Sequence, residues 1–268
     1  MSALRAGRRQ LAFRADFRDR IAPAYSGPAH VALIAAIGAA AIFVAASHLS
    51  HPAWYDYLVI PIAFALSNLF EWWIHRTIMH RPVRGFMGIY NRHTLAHHRF
   101  FTDTEPSFDT TRDFRIVFFP PYALVAFITL SLPPAGLLIA AGLPNAGWLL
   151  LITNVALYLN YELFHYCCHV KDDRLVNRIP LVNSIRRHHI AHHDPAIMME
   201  RNFNLTYPIA DWFFGTSDLA CGLVAHVFNG ASTRHVRGDL RRMDPGHDAA
   251  NNPGEPTSDV VRQAGPIG

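Results

Sequence analysis

The sequence predicts an all-α, integral membrane fold: four transmembrane helices in two hairpins, with a cytoplasmic helical cap gathered on one face of the membrane. Three observations predict it. Of the 268 residues, 51% are hydrophobic and only 16% are charged, where an ordinary soluble domain carries about 25% charged residues. The charges are also unevenly spread, since no Asp, Glu, Lys or Arg occurs in the 35 positions between Arg20 and Asp56 or in the 46 positions between Arg115 and Glu162. Finally, all 24 Lys and Arg fall in the segments 1–20, 76–115 and 171–268, and the connections 49–56 and 133–145 carry none.

Residues 1–28 read as a cytoplasmic N-terminal segment. It opens with arginines, interrupted by Asp16 and Asp19, and leads into a long apolar stretch without a small-residue cleavage site. That is the pattern of a signal anchor, not of a cleaved peptide. The first span covers about 29–49 and the second about 57–74, joined into a hairpin by the turn Ser50-His51-Pro52-Ala53-Trp54. After a polar, His-rich loop, apolar sequence resumes at Ile116, and its 46 charge-free positions would make about 69 Å of helix where one crossing takes about 30 Å. Two spans and a turn therefore fit. Leu132-Pro133-Pro134 and Gly142-Leu143-Pro144-Asn145 mark the breaks, which puts the third span at about 116–132 and the fourth at about 146–164. The piece between them, Ala135 to Ala141, is too short to cross and reads as interfacial or as an extension of span three. The membrane-embedded domain runs over 29–229, and the tail 230–268, rich in Gly, Pro, Asp, Asn and Arg, is expected to be disordered.

Charge decides between four and five crossings. Under the positive-inside rule all three basic segments are cytoplasmic, which requires an even number of crossings between each pair. Four satisfies this and five does not, so the N-terminus is placed in the cytoplasm. The same topology accounts for the formal net charge of +4 without nucleic acid, for which a basic patch with interleaved aromatics would be expected. Apolar content excludes a disordered chain. Three cysteines, Cys167, Cys168 and Cys221, exclude a disulfide scaffold and suit a reducing compartment.

Histidine is the remaining oddity, with 17 copies. Eleven of them form four clusters, each at the cytoplasmic end of a span or in the loop after it: His75 and His80; His93, His97 and His98; His165 and His169; His188, His189, His192 and His193. Residues three and four apart share a helical face, so His165 with His169, His93 with His97, and His189 with His192 and His193 can each aim imidazoles at one point. His75 and His80 are about 140° apart on an ideal helix and converge if the helix stops between them, ahead of Pro82. A lone interfacial histidine is ordinarily just a polar residue. Eleven in spaced clusters point to metal, because imidazole is the commonest metal ligand at neutral pH, and ten ligands are too many for one ion but suit two. A dinuclear site at the cytoplasmic face is the physical expectation, and nitrogen ligands accept iron, zinc and copper alike.

Glu71 and Glu162 stand one helical turn before His75 and His165, at a depth where an uncompensated carboxylate is costly. Either each accepts the distal N–H of a ligand histidine, or each reaches the headgroups and pairs with an arginine such as Arg76 or Arg186. Asn68, Asn154 and Asn160 read as hydrogen-bond partners between helices. The boundary aromatics Trp72, Trp73, Tyr161, Phe164, Tyr166, Trp212, Phe213 and Phe214 line a lipid entrance or form an interfacial belt.

These boxes, in this order, resemble the fatty acid hydroxylase and sterol desaturase superfamily of membrane di-metal oxygenases, and look most like the fatty acid 2-hydroxylases. The resemblance spans about Asn68 to Thr216. It is carried by Glu71-Trp-Trp-Ile-His75-Arg-Thr-Ile-Met-His80, the His93 to His98 cluster, Phe114-Arg-Ile-Val-Phe-Phe-Pro-Pro121, Tyr161-Glu-Leu-Phe-His165-Tyr-Cys-Cys-His169, Ile185-Arg-Arg-His188-His-Ile-Ala-His-His193 and Asp211-Trp-Phe-Phe-Gly-Thr216. It implies metal ligation by His75, His80, His97, His98, His165, His169, His189, His192 and His193. His93 is the tenth, in a second box with three residues before its histidine pair where the family usually has two. His188 is then an extra histidine, available to steer substrate or protons.

The activity so implied is O2-dependent hydroxylation of a lipid or fatty acyl C–H bond at two metal ions, most simply iron. Desaturation or sterol or carotenoid oxidation is the alternative within the superfamily, and a non-redox zinc membrane protein the alternative outside it. The zinc reading expects histidine clusters within the spans or a His-Glu-x-x-His motif, and the chain has neither. Many eukaryotic relatives carry a fused cytochrome b5-like domain; with about 28 residues ahead of the first span, electrons are expected from a separate donor, either cytochrome b5-like or a ferredoxin with its reductase. The cytoplasmic arginines could dock such an acidic carrier, but topology is their expected main role.

Overall fold

The computed structural model describes residues 2–171 and 176–241. Among these residues the regular structure is helical, and the one pairing of extended chain is an isolated bridge between Leu219 and Val236. Helix α1 covers Ser2–Asp19 and α2 covers Gly27–Ser47. Ser26 starts α2 by accepting the Ala29 N–H (3.3 Å), with Pro28 in the first turn, where its missing N–H costs nothing. A 3-10 turn, Trp54–Leu58, leads into α3 (Val59–Ile74), and α3 widens into a π-helical turn over His75–Met79. A second π-turn, His93–His97, lies between α4 (Met87–Arg92) and α5 (His98–Phe100). Then come α6 (Phe114–Val117), α7 (Pro121–Ala140), α8 (Pro144–His169), α9 (Pro180–His192), and the short α10 (Ile209–Phe213), α11 (Leu223–Val227) and α12 (Gly238–Arg241).

Three stretches are long and apolar enough to cross a membrane: Gly27–Ser47, Trp54–Met79 and Thr111–Ala140. They turn large apolar side chains outward, as at Phe43, Leu130 and Leu137, each more than 70% exposed. The fourth expected helix, α8, forms but has a different character. It packs against α2, α3, α7 and α9, and of its residues only Pro144, Ala156 and Leu163 are exposed. A helix enclosed by protein can carry Asn154, Asn160, Glu162 and two histidines, because these residues face protein and not lipid.

Helix α7 departs from the expected break at 132. It runs straight through Pro133 and Pro134 to Ala140, so the piece 135–141 extends the third long helix. Its close partner is α8: a Cβ added to Gly147 would lie 2.6 Å from the Ala135 carbonyl oxygen. Small residues thus bring the two backbones together, and Asn154 Nδ2 donates across the pair to Ser131 Oγ at 3.1 Å. At the far end the two hairpin turns are clamped, since Asn145 accepts from Ser50 N and donates to Ser50 O, both at 2.9 Å.

The other end is the cap. Helix α1 lies on it, with Arg18 bonded to Asp113 through Nε and Nη2 (each 2.7 Å) and to Asp109 (2.8 Å). The expected disordered tail begins too early: over 230–241 the chain returns to the cap, where Ala220 N donates to His235 O (2.7 Å) and Arg237 N to Asp218 O (2.9 Å). Residues 242–268 lie outside the described residues.

Candidate metal centre

The histidine clusters come from four places in the chain: the end of α3, the α4–α5 segment, the end of α8 and the end of α9. All ten expected ligands are buried together at one point under the cap. They sort into two groups. Potential ligand atoms of His75, His80, His93, His98 and His192 lie within 4.8 Å of one another, and so do those of His97, His165, His169 and His189. His193 joins the second group through its Nε2, 3.1 Å from that of His189.

The sorting does not follow the clusters. His165 and His169, four apart on α8, stay together as the helical face requires. His93 and His97 do not: their rings are stacked 5.4 Å apart, one in each group. Helix α9 divides likewise, sending His192 to the first group and His189 with His193 to the second. The α-helix does give out here, at Ile74, and passes into a π-turn that ends at Met79 with His80 as its C-cap. The π-turn brings their Nε2 atoms to 3.2 Å, and the second π-turn does the same for His93 and His98 at 3.1 Å.

Orientation of the rings comes from the main chain. His75 Nδ1 bonds to Phe203 O (2.5 Å), His169 Nδ1 to Pro106 O (2.6 Å), His192 Nδ1 to Arg201 O (2.8 Å) and His193 Nδ1 to Phe101 O (3.0 Å). A carbonyl can only accept, so each of these nitrogens carries the proton and the lone pair of the neutral ring sits on Nε2. Across the two groups the Nε2 atoms lie close in pairs, three of the pairs including a carbonyl-locked ring: His75 and His93 at 2.8 Å, His192 and His80 at 3.0 Å, His169 and His189 at 3.1 Å, and besides these His165 and His97 at 3.3 Å. Where both nitrogens of a pair present lone pairs they repel at such distances, and a cation between them reverses the sign. Protonation does not fill that role. Burial, together with the neighbouring imidazoles, pushes His80 down to about 2 and holds His93, His97, His98, His189 and His192 well below the usual imidazole range. The donor set therefore fits metal ions, one per group.

The two glutamates do other work than expected, and His188, the extra histidine, stands outside both metal groups. Glu71 accepts from Leu205 N (2.5 Å), Thr206 N (2.9 Å) and Thr206 Oγ1 (2.5 Å); Glu162 accepts from Phe119 N at 3.1 Å. Neither takes a histidine N–H; at His75 the Phe203 carbonyl already occupies the Nδ1 position. Neither pairs with Arg76, which stacks over Trp72, or with Arg186, which donates to Cys167 O and Val170 O. His188 points away from the metal groups, its Nε2 3.0 Å from Asp211 Oδ2. Asp211 also accepts from Phe203 N (3.0 Å), Asn204 N (2.6 Å) and Thr216 Oγ1 (2.6 Å). Burial opposes its charge, but the His188 and other hydrogen bonds hold its carboxyl below the usual range. Glu71 and Asp211 thus pin the 203–206 loop, whose Phe203 carbonyl holds His75. The sequence marks Asp211 as the start of the Asp211-Trp-Phe-Phe-Gly-Thr216 motif but not for that role, because the loop groups it holds are the main-chain amides of Phe203 and Asn204.

Asn68 does bond between segments, donating to Tyr207 O (2.6 Å) and accepting from Ala210 N (3.0 Å). Of the aromatics, Trp72 stacks on Phe214 (4.3 Å) and donates to Thr216 Oγ1 (2.9 Å). With Leu66, Leu69, Phe70 and Trp73 these two line an apolar groove on the outer face of α3.

No curated protein and no solved structure matches the chain. The family model described as fatty acid hydroxylase matches residues 60–216, a stretch that holds all ten histidines, both glutamates and Asp211. More than half of the sequence is covered, and the chain belongs to the fatty acid hydroxylase family.

Proposed function

We propose that this protein is a membrane monooxygenase that hydroxylates a C–H bond of a lipid or fatty acyl chain, using O2 and two iron ions, one in each histidine group. The observation that carries the reading is the convergence of ten buried Nε2 atoms, with four rings locked by carbonyls at Nδ1. The first group offers five nitrogens, more than the four of a tetrahedral zinc site, and contains no carboxylate to act as a hydrolytic base. Iron held there supplies the chemistry that activates O2 toward an unactivated C–H bond.

The chain's own part is to hold the ions, exclude water and admit the substrate. Ligand histidines that are at most 7% exposed keep bulk water out. The groove on α3 supports a lipid substrate: its Trp72 lies 6.3 Å from Phe203, whose ring packs on His75, His80 and His192 at about 6 Å. An acyl chain arriving from the bilayer along α3 would approach the first group without crossing water. The topology that goes with this reading is four crossings, with the N-terminus and the metal groups in the cytoplasm. Electrons come from a separate donor, cytochrome b5-like or a ferredoxin with its reductase.

Mass spectrometry of lipids from cells expressing the wild type, with His192→Ala as control, tests the reading. Hydroxylation adds an oxygen atom to the product, whereas desaturation removes two hydrogens and would assign the alternative outcome. An active preparation that contains zinc without iron and needs neither O2 nor reductant would overturn the proposal.

A further inference from the structure

We propose that Arg14 and Gln10 of α1 are positioning residues for the second histidine group, which makes the N-terminal helix a working part of the metal centre. This rests on the reading of that group as a metal position. Helix α1 lies outside the family match at 60–216, and the sequence offered no role for it beyond an N-terminal segment.

The link is the segment 100–106, which passes between α1 and the second group. On one side its carbonyls serve histidines: Phe101 O bonds His193 Nδ1 (3.0 Å) and Pro106 O bonds His169 Nδ1 (2.6 Å). The Phe101 ring also stacks on His169, with centroids 4.0 Å apart. On the other side the preceding carbonyls serve α1. Phe100 O accepts from Gln10 Nε2 (2.9 Å) and Arg14 Nε (2.8 Å), and Glu105 O accepts from Arg14 Nη2 (2.6 Å) and Gln10 Nε2 (3.2 Å). Phe101 is extended, with φ −112° and ψ 133°, and successive carbonyls of extended chain point to opposite sides. Holding Phe100 from α1 therefore aims Phe101 at His193.

Arg14 fixes the segment by its plane as well as by its bonds. Its guanidinium lies over Phe100 (5.0 Å) and within 5.7 Å of the Phe101 ring, and reaches Asp109 at 3.4 Å. Gln10 and Arg14 are 7% and 3% exposed. Burying a guanidinium is costly unless its donors are satisfied, and two of these bonds go to the ends of a segment that holds two ligand rings. Two rings of the first group are held separately, His75 by Phe203 O and His192 by Arg201 O. Loosening α1 should therefore affect one metal position and spare the other.

The test uses the full chain purified in detergent, with iron content measured by elemental analysis, affinity by anaerobic Fe(II) titration, and coupling of the ions by Mössbauer spectroscopy on 57Fe. The variants are Arg14→Ala, the milder Gln10→Ala, and Arg20→Ala as control. Arg20 is exposed, just beyond the end of α1, and among the described residues it pairs only with Asp16. Arg14→Ala should bind one iron as the wild type does and the other about 10- to 100-fold more weakly, with the spectrum changing from a coupled pair toward a single ion. Gln10→Ala should move the same way by less, and Arg20→Ala should hold both. Wild-type affinity for both ions in Arg14→Ala and Gln10→Ala overturns the proposal, as does equal loss of both ions in step with a fall in melting temperature. A wild-type chain that binds no metal instead overturns the proposed function, so the two failures are distinct.

Discussion

His75 and His80 are five residues apart in the chain, yet their Nε2 atoms lie 3.2 Å apart in the fold. The α3 helix reaches this by widening into a π-turn over His75–Met79, and the chain repeats the device at His93–His97, where His93 and His98 meet at 3.1 Å. A π-turn closes hydrogen bonds between residues five apart, so a spacing that straddles two sides of an α-helix becomes one side. Every histidine of the first group except His192 lies in one of these two turns or is its C-cap.

Single-histidine variants should separate the groups. His192→Ala removes a ring from the first and His165→Ala a ring from the second. Each is expected to abolish product formation, because the reaction needs both ions, while each retains one iron site. Iron content and lipid product measured on the same preparations check this; full activity in either variant would refute a shared centre.

Acid should destabilise the metal-free chain. His80 titrates near about 2 and His193 near about 3, through burial, while His93, His97, His98, His189 and His192 stay well below the usual value. In the unfolded chain these groups titrate near about 6.5. Below that pH the unfolded state binds protons that the folded state cannot, so stability is present above about 6.5 and falls as pH drops toward the folded values. Melting curves of apoprotein in detergent should shift down between about pH 7 and pH 5; a flat profile contradicts the burial of neutral imidazoles.

Glu71→Gln should weaken the first metal position. The amide cannot accept from Leu205 N, Thr206 N and Thr206 Oγ1 as a carboxylate does, and the loop it pins carries Phe203 O, the acceptor for His75. We expect about 1–3 kcal/mol of lost stability and about a 10- to 100-fold loss of metal affinity at that position. Glu162→Gln should cost less, since an amide oxygen can still accept from Phe119 N. Parallel Fe(II) titrations of the two variants compare them directly.

Gly147→Ala should loosen α7 from α8. Its new Cβ would sit 2.6 Å from Ala135 O and 2.7 Å from Ile139 Cγ1, an overpacking that costs about 1–3 kcal/mol. Gly136→Ala meets nothing within 4 Å and should be close to neutral. Thermal denaturation in detergent distinguishes them, and equal melting temperatures would mean the helices can part without cost.

The four-crossing topology makes a labelling prediction. In a background with the native cysteines replaced by alanine, His51→Cys in the first hairpin turn should react with a membrane-impermeant maleimide from the outside of cells. Arg84→Cys, on the cap side, should react only after permeabilisation. The reverse pattern, or reaction of both from one side, would require another topology.

The positions of the long helices and the identity of the histidines were legible in the chain because they are local properties. A charge-free run has the length of a span, and the spacing of His165 and His169 places both on one face, whatever the rest of the fold does. Even the enclosed α8 was found this way, although its polar residues make it less apolar than its neighbours. The breaks were less legible: Pro133 and Pro134 read as a stop, yet α7 continues, because its contact with α8 supports the helix where the prolines weaken it.

What the histidines do together was settled only by the fold. Adjacent members of one cluster, such as His192 and His193, serve different groups, since the choice depends on which helices face them. Glu71 bonds to Leu205 across 134 positions and Arg14 to Phe100 across 86. Their partners are main-chain carbonyls and amides, which every residue has and no side-chain pattern announces. Sequence therefore specified the candidate ligands and the long apolar helices, through periodicity and hydropathy. Tertiary structure decided how the ligands divide between two positions and which buried groups hold them there, because those are contacts between segments distant in the chain.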